Sequence, residues 1–154
     1  TIAGYQLSCV AGAVQFDYMC TEKFRLMFDY KSKLFFSLAK KLVCKNKWNF
    51  KLKLVGLGFS YGIQVFDKDN NKDRFSAFKI AFCCYERGLL LITVGGNTLR
   101  LQPPFSISIE NLIKGFEQLE CAICDVDSGY ATDEMLHFYK RRYPESKDNI
   151  GENK

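Results

Sequence analysis

Phe24, Met27, Phe28, Leu34, Phe35, Leu38 and Leu42 recur at three- and four-residue intervals with lysines between them. That period places them along one stripe of an amphipathic helix. The helix ends near Cys44, where Lys40 and Lys41 face its negative end. Such a stripe must lie on another apolar surface, and the chain that follows is not helical. Leu54 to Leu57 and then Tyr61, Ile63 and Val65 read as two short strands joined through Gly56 and Gly58. Helices followed by short strands point to a small sheet covered by helices.

The other elements extend that plan. Residues 7–20 mix small and apolar types with no breaker after Gly12, and predict a tightly packed helix. Asp67 to Asp73 (DKDNNKD) is a polar turn. Asp73 can cap a helix whose apolar face is Ala77, Phe78, Ala81, Phe82 and Tyr85, closed by Gly88. Leu89 to Val94 is a continuous apolar run between glycines, so it predicts a buried strand. Thr98 to Leu101 predicts another, ended by Pro103-Pro104. Ser108 then caps a last helix with Ile109, Leu112, Ile113, Phe116, Leu119 and Ile123 on one stripe. The fold class is α/β in the broad sense, an α+β small domain with its sheet covered by helices. There is no internal repeat. Three segments are expected: linker helices over 1–50, the small domain over 51–130 and a polar extension over 131–154.

Composition bounds the remainder. The chain has 154 residues, 47% of them apolar, enough for one ordinary domain. A formal charge of +5 is modest and speaks to solubility, not fold. Seven cysteines, an odd count, sit in apolar-periodic segments. They read as reduced, mostly buried thiols of a cytoplasmic protein. No apolar run reaches membrane-spanning length and no signal peptide is recognisable, so no membrane partner is expected. The chain begins at Thr1 instead of Met, which makes a piece of a longer protein or a processed product the expectation.

Most residues that could carry chemistry have blander readings. His137 is the single histidine and has no partner pattern around it. Cys121 and Cys124 form a C-x-x-C, but without a second pair or a βαβ context they read as buried thiols on a helix face. Cys83 and Cys84 point to different helix faces, and no metal site is expected. Lys31 to Lys53 holds eight lysines and no acid. Those lysines alternate with an apolar stripe, so a solvated helix face is favoured over a nucleic-acid surface.

Arg100 stands apart. It lies between Leu99 and Leu101, directly before Gln102-Pro103-Pro104. A guanidinium in that place is expected to be partly buried and rigid, suited either to capturing a carboxylate with two hydrogen bonds or to a structural ion pair with a buried acid. The residues alone leave these two equal.

The whole segment runs from Glu86-Arg87-Gly88 through Leu89 to Val94, the turn Gly95-Gly96-Asn97 and then Arg100-Leu101-Gln102-Pro103-Pro104. It resembles the C-terminal signature of class III pyridoxal-phosphate-dependent aminotransferases of the 4-aminobutyrate and ornithine type. Thr1-Ile2-Ala3-Gly4 resembles that family's T-x-x-G, and Leu57 to Ile63 its entry into the small domain. The resemblance runs from Thr1 to about Gly129. It implies the C-terminal part of a fold-type I enzyme, with Arg100 binding the substrate carboxylate. It also implies that Thr1 contacts the phosphate of pyridoxal 5'-phosphate across a homodimer. The implied substrates are an amino acid or amine and a 2-oxo acid; racemases, epimerases and a decarboxylase share these motifs. Tyr5-Gln6 replaces the usual Asn-Pro, and Val55 stands where an arginine is usual. No lysine here matches the family's cofactor-bonding lysine, so a catalytically silent interaction or dimerising module is a further alternative.

Overall fold

The structure, a computed structural model, describes residues 4–136. Helices α1 (Gln6–Met19) and α2 (Glu22–Val43) precede the hairpin strands β1 (Lys51–Leu57) and β2 (Ser60–Phe66). Helix α3 (Arg74–Glu86), strands β3 (Ile92–Val94) and β4 (Thr98–Leu101) and helix α4 (Ile109–Asp127) follow. A short 3-10 turn, Asp133–Leu136, closes the described chain. The four strands form one antiparallel sheet in the order β1-β2-β4-β3.

Helix starts are set locally. Thr21 accepts a hydrogen bond from Phe24 N, Asp73 from Ser76 N and Ser108 from Asn111 N, each serving a backbone donor that the helix leaves unpaired. The end of α3 is equally local. Gly88 adopts φ +77°, Leu89 N donates to Cys84 O and Gly88 N to Tyr85 O, which is a Schellman motif and needs a residue without Cβ strain.

Strand alternation decides which face is covered. Leu52, Ile63, Val65, Leu99 and Leu101 are buried beneath α2 and α3, and α4 packs against both helices. Lys53 pairs with Gln64 and Gly62 with Arg100 on the opposite face, which carries no helix among the described residues. Phe35 lies at the centre of the core. Its ring centroid is 5.0 Å from Phe59, 5.4 Å from Tyr61 and 5.5 Å from Phe116. Lys31 Nζ donates to Phe105 O and Ile107 O at 2.8 and 2.6 Å, tying the segment after the prolines to α2.

Four expectations are corrected. Helix α1 forms but buries no residue, since Leu7, Val10, Val14 and Phe16 are exposed and no layer of the described chain reaches over them. Of Leu89 to Val94 only Ile92–Val94 pairs, and it is an edge strand, with Leu90 78% and Ile92 53% exposed. A run of apolar residues does not distinguish a central strand from an edge with one neighbour. Tyr85, Ile109 and Ile113 are exposed, while Ile80, Cys83 and Cys84 fill the α3 side of the core. Lastly, Cys121 and Cys124 are exposed, because the buried stripe of α4 is Leu112, Phe116, Leu119, Ala122 and Ile123 and the thiols lie beside it.

All seven cysteines are free; only Cys83 and Cys84 are buried. Burial pushes the Cys84 thiol up to about 12, helped by neighbouring Cys83, and the Cys83 thiol is raised for the same main reason. The thiolate is the reactive form. At pH 8 a thiol reagent is therefore expected to modify five cysteines quickly and Cys83 and Cys84 only after unfolding. A raised folded value stabilises the fold below the unfolded thiol range. That contribution should fade as pH climbs from about 9 toward 12.

Candidate functional site

Arg100 sits on the sheet face opposite the helices, flanked in register by Gly62 of β2 and Ile92 of β3. Its neighbours Leu99 and Leu101 are anchored in the core, so the strand carrying it is fixed while its side chain stays exposed. The expected partial burial is thus corrected: alternation along β4 sends Arg100 to the uncovered side. Its Nη2 donates to Oε1 of Gln102. Among the described residues it has no acidic partner.

Two residues shape this surface without showing it in the sequence. A Cβ on Gly62 would stand 2.6 Å from Thr98 Cγ2 and 3.4 Å from Val55 Cγ2, so glycine keeps the sheet shallow beside Arg100. Asn97 is the buried polar residue of the glycine turn. Its Nδ2 donates to Val65 O at 2.8 Å, and its own carbonyl accepts from Val65 N at 2.9 Å. These bonds extend the β2–β4 pairing and hold the register that places Arg100. Asn97→Ala is expected to cost about 1 to 2 kcal/mol in denaturant unfolding and to speed exchange of the Val65 amide.

Beside Arg100 a cavity of about 470 Å³ opens between the ends of β3 and β4 and helix α4. Phe35, Leu101, Leu112, Phe116 and Leu119 form its buried floor. Arg100, Gln102 and Asn111 line it from exposed positions. The proline pair that ends β4 forms part of its wall.

Arg87 of the E-R-G segment has a structural role. Its Nε and Nη2 donate to Asp125 Oδ2 at 3.0 and 2.5 Å, joining the end of α3 to α4 and holding the guanidinium above its ordinary range. Thr1 and His137 lie outside the described residues. Among the described residues no cluster of three or more His, Cys, Asp or Glu side chains could hold a metal, and no helix is long and apolar enough to cross a membrane.

No family model matches the chain. It is 37% identical over 106 residues to a leucine/methionine racemase of Thermococcus litoralis, covering 66% of this chain and 24% of that protein. It is 31% identical over 124 residues to an acetylornithine aminotransferase of Clostridium acetobutylicum, covering 80% of this chain and 30% of the relative. The solved adenosylmethionine-8-amino-7-oxononanoate aminotransferase of Methanocaldococcus jannaschii superimposes with a TM-score of 0.66 at 27% identity, over 78% of this chain and 28% of that one. The chain thus spans roughly a quarter to a third of the length of these three proteins. It belongs to the class III pyridoxal-phosphate-dependent aminotransferase family and corresponds to a C-terminal portion of it.

Proposed function

We propose that this chain supplies the substrate-carboxylate side of a pyridoxal-phosphate enzyme that moves an amino group between an amine or amino acid and a 2-oxo acid. Arg100 carries the reading. It is a guanidinium on an uncovered sheet face, in no ion pair among the described residues, on a strand held by both neighbours. Such a group can grip a carboxylate with two parallel N–H···O bonds. The Gln102 amide accepts one N–H and orients the fork, leaving other donors for the ligand.

The cofactor, when bound, supplies the electron sink for this chemistry. The described residues do not fit it. None of their lysines matches the family's cofactor lysine, and Thr1, the match to its phosphate contact, lies outside them. In this reading the rest of a longer polypeptide holds the cofactor, and the exposed apolar residues of α1 pack there or against a second copy in a homodimer. Free thiols suit a cytoplasmic setting.

The test is to express the full reading frame containing this chain and follow an isotopically labelled amino group. Its arrival on a 2-oxo acid, with cofactor retained, supports the proposal. Inversion at Cα without transfer would favour the racemase or epimerase reading, which the Thermococcus litoralis relative supports. A product that retains no cofactor and moves no nitrogen overturns both and leaves an interaction module.

A further inference from the structure

We infer that Cys121 and Cys124 form a dithiolate clip on the exposed side of α4, and that its ligand is a monovalent soft cation of the copper(I) class held between the two sulfurs. The site is independent of Arg100 and of the cofactor.

Helix geometry pairs the two thiols. Helix α4 buries Leu112, Phe116, Leu119, Ala122 and Ile123, while Cys121 and Cys124 are both free and exposed. Residues three apart in a helix are surface neighbours, with Cβ atoms about 5 to 6 Å apart. A disulfide brings its Cβ atoms to about 3.5 to 4.5 Å, so closing one here would bend the helix. A single bridging atom suits the wider spacing. Two metal–sulfur bonds of about 2.3 Å span about 4.6 Å when they lie in line, and both sulfurs can bind with the helix intact.

Softness and ligand count choose the ion. Thiolates select copper(I) and zinc over oxygen-seeking cations. Zinc in a closed site takes four ligands, and among the described residues no third His, Cys, Asp or Glu joins the pair in a cluster able to hold a metal. The nearest acids are engaged elsewhere, Glu120 by Lys45 and Lys47 and Asp125 by Arg87. Binding exchanges two thiol protons for the cation with no change of oxidation state, which leaves one net negative charge on the S–Cu–S unit. The Arg87 guanidinium interacts electrostatically with Cys121 and offsets that charge. The other cysteines offer no such pair. Cys83 and Cys84 are buried, and Cys9, Cys20 and Cys44 have no cysteine three or four residues away.

The experiment titrates the full-length polypeptide, reduced and kept anaerobic, with copper(I) against a chromophoric copper(I) chelator. Wild type is expected to hold one ion at this site. Cys121→Ala and Cys124→Ala should each weaken it by about a hundredfold or more, because the second sulfur no longer binds within the same molecule. Cys44→Ala should leave it unchanged. Alanine favours the helix at both exposed positions, and thermal unfolding checks that each variant is folded. X-ray absorption of the loaded protein should count two sulfurs on the copper. Below the thiol range affinity should rise about a hundredfold per pH unit, since two protons leave. Three or four sulfurs on the ion, or zinc bound as tightly as copper(I), would overturn the two-sulfur clip. Copper retained equally by both alanine variants would place the ion elsewhere and sink the site, as would the absence of tight binding to wild type.

Discussion

Replacing Arg100 by glutamine in the full-length polypeptide is expected to raise KM for a carboxylate substrate by about a hundredfold. Two charge-assisted hydrogen bonds are lost and one neutral donor remains, a difference of about 3 kcal/mol. Steady-state kinetics should show the change mainly in KM, because Arg100 would hold the carboxylate alike before and during the reaction. Arg100→Lys should recover only part of it, since a point charge cannot form the planar pair. An amine substrate without a carboxylate provides the control and should be unaffected. An unchanged KM would remove Arg100 from the site.

Phe35→Ala is expected to destabilise the chain by about 4 kcal/mol. Phe35 is 2% exposed and meets Phe59, Tyr61 and Phe116, so its loss leaves a hole where α2, α4 and the sheet converge. Against a typical stability of about 5 to 15 kcal/mol, that is a large share. Urea unfolding measures it as a lowered midpoint. Leu26→Ala on the same helix, at a position 67% exposed, should change stability by less than about 0.5 kcal/mol.

Elements whose causes are local were legible in the residues. The caps Asp73 and Ser108 each serve a donor three residues on, the β1–β2 hairpin turns through Gly58 at φ +63°, and Gly88 ends α3. The stripe from Phe24 to Leu42 became α2 because a 3.6-residue period carries its own orientation. Exposure was less legible. Nothing in Leu89 to Val94 states that β3 has a single neighbour, and nothing in residues 7–20 states whether a layer lies over them. Asn97 looked like a turn residue, yet it is buried and bonded to Val65, which is distant in sequence.

Arg100 shows where the division falls. The sequence by itself determined that an arginine stands on a short strand between two apolar residues and ahead of two prolines, since alternation and proline chemistry act over a few residues. The tertiary structure alone decided that α2 and α3 pack on the same side of the sheet, with α4 against both. The guanidinium therefore emerges on the open face. Strand geometry sets the side on which a residue points, but only long-range packing decides which side is covered.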